Sequence, residues 1–391
     1  MGRLTERLQW IGREATGAMG TVAILAMLVI LQWTTPMMPV AGWTGFVRDA
    51  VAQARGQTPI WWIELRQAHN GYYQALMTRG NDRTTGERSL LSRLWTFEKP
   101  EVYQDHPFRL TTGLPNLNVL DPTEGPQVTN SQGLFDDKEH AFIPTPGVRR
   151  VAMLGDSLTR GWGVAPDLNY PRLMENKLNG DVPDKTGKHF EFINFSVSGY
   201  WATQIYDVAR EVAPKYKPDV YVMTLTVLAA GPEWASHLIE LVQGRKDLRY
   251  DFLRDVVKAS GVQAEDAFAT AKRKLAPYHK VVLRGILQEI KSQAERESAG
   301  FLVALVPAVE DPEMVRLRFA TARTALDGLN IPVVDLLDSY NGVPDIEKLR
   351  IYWYDGHPNA EGHRRVAENF LSKAKAQPEV WRMLTGEDVV R

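Results

Sequence analysis

The chain has 391 residues, of which 44% are hydrophobic and 24% charged, and its formal net charge at pH 7 is −1. A chain of this length can bury one large core and a smaller accessory region, and its near-neutral charge without a basic run argues against nucleic acid as a partner. The absence of cysteine excludes disulfide bonds, thiol catalysis and zinc–thiolate sites.

The N-terminus predicts a membrane anchor. Residues 17–35 carry no charge, and the apolar run within them gives a helix of roughly 25–30 Å, just long enough to span a bilayer. Arginines precede this run, so we expect residues 1–16 in the cytoplasm and the bulk of the chain on the periplasmic, extracytoplasmic side. A cleaved signal peptide is the alternative, with Val40-Ala41-Gly42 as the cleavage site. Both alternatives export the main domain.

Residues 41–147 form a predicted accessory region rich in Trp, Pro and Asn. Helical spacing at 50–54 and 60–77 places Trp61, Trp62, Tyr72 and Tyr73 on a wide apolar face. That face is either part of a core or a surface for docking on a membrane protein or the lipid interface. Residues 108–129 predict short strands broken by glycine and proline.

From residue 148 to 376, apolar runs alternate with helical stretches, as in a parallel, doubly wound α/β sheet. The five predicted strands are 148–154, 190–197, 220–226, 301–306 and 331–336. Residues 233–298 exceed what one crossover needs, so they predict an insertion of two or three helices. We expect residues 377–391 to be a C-terminal tail.

The first predicted strand runs into Gly155-Asp156-Ser157-Leu158. A serine where a buried parallel strand ends and a helix begins lies beside free helical N–H groups, and it can act as a nucleophile if a base is near. About 200 residues later, His357 follows Asp355 just ahead of a helical pattern. His357 by itself is equally well read as a surface or capping residue. Because both segments fall at the same predicted edge of the sheet, Ser157, His357 and Asp355 make a candidate catalytic triad.

These motifs resemble the SGNH, or GDSL, hydrolase family. The resemblance implies a flavodoxin-like three-layer sandwich whose five-stranded parallel sheet has the order 2-1-3-4-5. It also implies that His357 deprotonates Ser157 while Asp355 orients the imidazole, with one residue fewer between them than is usual. The backbone N–H groups of Ser157 and Gly199 would form an oxyanion hole, and no cofactor or metal ion is implied.

The third family block, Gly-x-Asn-Asp, has no counterpart after the strand that ends near Thr226. The missing Asn is an oxyanion donor, and losing one such donor typically slows a reaction about 100- to 1000-fold. The Thr226 hydroxyl is a possible substitute.

Two functional hypotheses remain: the first rests on the candidate triad, and the second on the missing donor, the aromatic segment and the predicted anchor. The first is a membrane-anchored extracytoplasmic serine esterase acting on an acyl or acetyl ester of lipid, glycan or envelope polymer. The second is a catalytically weak or inactive accessory subunit of an integral membrane protein complex.

Overall fold

In the computed structural model the described residues are 97–98, 109–110, 118–121, 125–181, 189–231, 234–351 and 356–387. All of them belong to one unit of the chain, Arg83–Arg391. The predicted anchor at 17–35, the segment before it and the predicted helices at 50–54 and 60–77 lie outside the described residues. Within the described segments, no helix combines the length and the apolar character needed to cross a bilayer.

Four short strands precede the main sheet and form two antiparallel pairs. They are β1 (Phe97–Glu98), β2 (Arg109–Leu110), β3 (Asn118–Asp121) and β4 (Gly125–Val128). The last three lie within the stretch 108–129 for which short strands are predicted, and β1 lies before it.

A five-stranded parallel sheet forms the centre of the fold. Its strands are β5 (Val148–Leu154), β6 (His189–Asn194), β7 (Val220–Leu225), β8 (Gly300–Leu305) and β9 (Val333–Asp335). The spatial order is β6-β5-β7-β8-β9, which is the predicted order 2-1-3-4-5. Strands β6 and β9 are shorter than predicted. Strand β6 ends at Asn194 instead of residue 197. Strand β9 begins after Pro332, which has no backbone N–H to donate to the ladder.

Helices pack on both faces of this sheet. Those outside the long β7–β8 connection are α1 (Ser157–Arg160), α2 (Tyr170–Asp181), α3 (Ala202–Glu211), α8 (Pro312–Arg318), α9 (Ala320–Leu326), α10 (Ala360–Ala376) and α11 (Pro378–Thr385). Side chains alternate along a strand, so Val151 and Met153 face one layer, where they join a core with Met174 and Phe370. Helix α3 packs against β5 outside that core.

The connection between β7 and β8 contains four helices, α4 (Trp234–Gln243), α5 (Asp251–Ser260), α6 (Phe268–Leu275) and α7 (His279–Arg296). Helix α7 packs on β8 and is the crossover that a parallel pair requires. The other three are the added helices, and α6 packs against both α4 and α5.

The stretch 377–391, expected to be a tail, instead contains helix α11. Val380, Trp381 and Leu384 recur at helical spacing and are buried in the core beside the sheet. Their burial explains why this part of the chain is ordered as a helix.

Residues 129–143 are held against the sheet by buried ion pairs. The His140 imidazole lies between two carboxylates, with Nε2 3.0 Å from Oδ2 of Asp136 and Nδ1 2.7 Å from Oε1 of Glu191. Arg172 pairs with Asp136, and Arg150 donates to Glu191 at 2.6 Å. Burial by itself lowers the pKa of His140, but the hydrogen bonds and charges of Asp136 and Glu191 outweigh it and raise the pKa to about 9. His140 is therefore a buried cation at neutral pH.

Candidate active site

Ser157 is the first residue of α1, directly after the end of β5. Asp156 is the N-cap of this helix, and its carboxylate accepts a hydrogen bond from the backbone N–H of Leu158 at 3.0 Å. The helix is only four residues long because Gly161 adopts a left-handed conformation, with φ of +89°, and its N–H donates back to the Ser157 carbonyl. The serine is thus held on a single helical turn at the carboxyl edge of the sheet.

Gly155 lets β7 approach the turn that carries the serine. A methyl group at Gly155 would lie 2.1 Å from Oγ1 of Thr224 and 2.5 Å from Oγ1 of Thr159. Those two hydroxyl oxygens are 2.6 Å apart and hydrogen-bonded to each other. No side chain other than hydrogen fits between them, so glycine is needed here for packing.

The structure brings His357 to Ser157. The imidazole Nε2 lies 2.7 Å from the serine Oγ, although the two residues are 200 positions apart. The Trp162 ring lies beside the imidazole, with ring centroids 4.6 Å apart. The N-cap of α10 is Asn359, whose side chain accepts from the N–H of Gly362, so His357 is not the capping residue of that helix. Both Ser157 and His357 are buried.

Asp355, the predicted third member of the triad, lies outside the described residues. Its role therefore stays a prediction. The description resumes at Gly356, whose carbonyl accepts a hydrogen bond from the N–H of Val309 at 2.7 Å. That bond joins the loop ahead of His357 to the carboxyl end of β8.

Thr226 does not serve as the substitute oxyanion donor considered from the sequence. Its hydroxyl donates to Oδ2 of Asp156, and its oxygen accepts from the N–H groups of Leu228 and Ala229 at 3.2 and 3.3 Å. A threonine hydroxyl has one proton, and here that proton is engaged. Sequence reasoning missed this pairing, because 70 residues separate the two side chains.

Asp156 is a buried carboxyl with an altered acidity. Burial raises the pKa of Asp156 to about 6. Hydrogen bonds from the Thr226 hydroxyl and the Leu158 N–H, together with the charge of His357, limit the rise. The carboxyl group is therefore charged above about pH 6. It also lies close enough to His357 for a charge on the imidazole to interact with it. Its hydrogen bonds hold the turn that carries Ser157 against the end of β7.

Gly199 lies in the loop between β6 and α3, with φ of +79°. The same loop reaches the turn that carries Ser157, because the N–H of Val197 donates to the carbonyl of Gly155 at 3.2 Å. Neither the Gly199 N–H nor the Ser157 N–H has an acceptor in the part of the chain that the structure describes. Within the described residues, the two N–H groups predicted to bind the oxyanion are therefore not engaged with the protein itself.

Asn194 is a further residue at this edge that the sequence did not single out. Its side-chain Nδ2 donates to the Thr159 carbonyl at 2.9 Å, and its Oδ1 accepts from the N–H of Ser196 at 3.2 Å. It therefore ties the end of β6 to α1. The only sequence signal was a polar residue at the end of an apolar strand.

Several solved structures are similar to this chain. The crystal structure of TesA is 16% identical, covers 58% of this chain and 99% of its own, and has a TM-score of 0.38. The acetyl xylan esterase AlAXEase is 19% identical, with 57% and 98% covered and a TM-score of 0.38. A catalytic mutant of Axe2, an acetylxylan esterase from Geobacillus stearothermophilus, is 16% identical, with 57% and 93% covered and a TM-score of 0.39.

No curated protein sequence matches the chain. The model of the GDSL-like lipase/acylhydrolase family, in contrast, matches residues 153–365, which is more than half of the chain. The match includes Ser157, the Gly199 loop and His357. The chain therefore belongs to the GDSL-like lipase/acylhydrolase family.

Proposed function

We propose that the protein is a serine ester hydrolase in which Ser157 is the nucleophile and His357 the general base. The observation that carries this proposal is the distance of 2.7 Å between the His357 Nε2 and the Ser157 Oγ. A neutral imidazole with its proton on Nδ1 accepts a hydrogen bond from the serine hydroxyl at Nε2. This arrangement activates the serine oxygen for attack.

In this mechanism the Ser157 oxygen attacks the ester carbonyl carbon while His357 takes the hydroxyl proton. The N–H groups of Ser157 and Gly199 donate to the oxyanion of the tetrahedral intermediate. His357 then returns the proton to the departing alcohol, which leaves an acyl-serine. A water molecule, deprotonated by His357, attacks the acyl-serine and releases the carboxylic acid and the free serine.

Two carboxyl groups belong to this mechanism. The Asp156 carboxyl interacts electrostatically with His357 and holds the turn that carries Ser157 through its hydrogen bonds with Leu158 and Thr226. We propose that Asp355 holds the imidazole in the tautomer that accepts at Nε2, as the family resemblance implies.

The two backbone donors act without the Asn side chain of the third family block. Because Thr226 donates to Asp156, it does not replace that donor. We therefore expect a slow enzyme, lower in rate by about 100- to 1000-fold than one with a complete set of donors. The same observation favours low esterase activity, which is what a second candidate function, an accessory subunit of a membrane protein complex, requires.

A fluorophosphonate probe tests the nucleophile, because it labels an activated serine covalently. We expect labelling of the wild type and none of Ser157→Ala. Ser339→Ala is the matched control, since Ser339 is buried and its hydroxyl donates to the Leu336 carbonyl, away from the Ser157 turn. Equal labelling of the wild type and Ser157→Ala would refute the assignment. Hydrolysis of 4-nitrophenyl acetate should follow the same pattern.

We also propose that residues 17–35 anchor the protein, with the hydrolase domain extracytoplasmic. The support is the uncharged apolar run and the arginines before it. Carbonate washing should leave the full-length protein in membranes, and release of a form starting near Trp43 would instead establish cleavage. An accessory subunit should co-purify in mild detergent with integral membrane partners at fixed stoichiometry, whereas an independent esterase should purify alone.

A further inference from the structure

Among the residues that the structure describes, four buried donor groups in and beside the Gly199 loop have no hydrogen-bond partner. They are the Ser198 hydroxyl, the indole N–H groups of Trp201 and Trp234, and the side-chain amide of Gln204. Each of these residues is at most 5% exposed. Buried polar groups are nearly always hydrogen-bonded, and leaving one unpaired is costly, so four in one region indicate a place that binds a ligand.

Three of these residues, Ser198, Trp201 and Gln204, lie within five positions of Gly199 in the chain, and the fourth, Trp234, begins α4. Ser198 directly precedes Gly199, and Trp201 is the N-cap of α3. Helix α4 lies alongside this end of α3, because the Thr203 hydroxyl is 3.1 Å from the Nδ1 of His237. The rings of Trp201 and His237 are 6.0 Å apart, and Trp234 is one turn before His237 on α4. The four donors therefore occupy two adjoining helix ends at the same edge of the sheet as Ser157.

The surroundings favour a neutral ligand over an anion. Helix α4 has no lysine or arginine, and the one basic residue of α3, Arg210, lies in its last turn, 3.7 Å from Glu289. Burial lowers the pKa of His237 to about 3, so this imidazole is uncharged at neutral pH. The described residues of α3 and α4 supply no buried cation to pair with an anion here, so the desolvation of an anion would be uncompensated by them.

The donors and the aromatic rings together fit one chemical class of ligand. Hydroxyl, amide and indole N–H donors need oxygen acceptors, which a hydrocarbon chain lacks and a sugar supplies. The two indoles also provide flat apolar surfaces for the C–H faces of a sugar ring. We propose that Ser198, Trp201, Gln204 and Trp234 form a subsite that binds the carbohydrate part of the ester substrate. This proposal rests on the esterase function proposed above.

The kinetic test compares two acetyl esters, glucose pentaacetate and 4-nitrophenyl acetate. The readout is the ratio of their kcat/KM values, which removes any general loss of active enzyme. In Ser198→Ala and in Trp201→Phe, which keeps an aromatic ring but loses the N–H, the ratio should fall about three- to tenfold, the effect of one hydrogen bond. Trp381→Phe, on α11 and in the core on the other face of the sheet, is the matched control and should leave the ratio unchanged. Unchanged ratios in both subsite variants would overturn the proposal.

A binding test separates the subsite from the chemistry. Glucose pentaacetate is titrated calorimetrically into Ser157→Ala, which cannot turn it over, and into the same protein carrying Trp201→Phe. We expect saturable binding that weakens about three- to tenfold in the double variant. Saturable binding by a protein that proves inactive on 4-nitrophenyl acetate would reject the esterase and keep the subsite. An active esterase without such binding would reject the subsite and keep the esterase.

Discussion

Replacing His140 with glutamine removes the buried cation that joins residues 129–143 to the sheet. In the wild type both ring nitrogens meet carboxylates, Asp136 at 3.0 Å and Glu191 at 2.7 Å. A neutral imidazole has one N–H and can donate to only one of them. Loss of the proton from His140 therefore breaks one hydrogen bond and leaves the two carboxylates without the positive charge between them.

The pKa of His140 sets the size and sign of the effect. A rise from 6.5 to about 9 corresponds to about 3 kcal/mol of stability. Because the pKa is raised on folding, this contribution is fully present below pH 6.5 and is lost as pH rises through about 9. The free energy of unfolding of the wild type should therefore fall by up to about 3 kcal/mol across that range.

Urea unfolding, followed by circular dichroism at several pH values from 6 to 9.5, measures this fall. In His140→Gln the contribution is absent, so the gap between the two proteins should be widest at pH 6 and should narrow as pH rises. His189→Gln is the control, because His189 is an exposed histidine at the start of β6. Parallel stability curves for wild type and His140→Gln would show that His140 does not act as a buried cation.

Three further changes test the geometry around the serine. Gly155→Ala should cost about 1–3 kcal/mol in urea unfolding, since its methyl group would lie 2.1 Å from Oγ1 of Thr224, and wild-type stability would contradict that close approach. Thr226→Val should cost about 1.5–3 kcal/mol at pH 8 and less at pH 5, because the Asp156 carboxyl, with its pKa near 6, is charged only at the higher pH. Equal costs at both pH values would contradict this. Leu228→Asn, at a half-buried position of the loop after β7, should raise 4-nitrophenyl acetate hydrolysis by restoring a donor, by up to about 100-fold. No gain there or at Val227, in folded protein, would favour the accessory subunit.

The sequence alone determined the strands of the sheet and two residues, Ser157 and His357, at the carboxyl ends of those strands. The apolar run that ends at Leu154 predicts β5 with its observed bounds, and the alternation after it predicts the other four parallel strands. Parallel strands place their carboxyl ends at one edge, so Ser157 and His357 could be paired although they are 200 residues apart. Such patterns are local properties of the chain, and they can be read without coordinates.

Only the tertiary structure decided which polar groups are paired. From the sequence, the Thr226 hydroxyl is a possible oxyanion donor. In the structure it donates to Asp156, which follows the neighbouring strand β5. No pattern in the sequence singles out His140, which folding places between carboxylates 4 and 51 residues away. A hydrogen-bond partner is set by long-range packing, and side-chain periodicity carries no record of it. Propensity and spacing therefore predict where a residue lies along an element, while the protonation state and the free donors depend on the assembled fold.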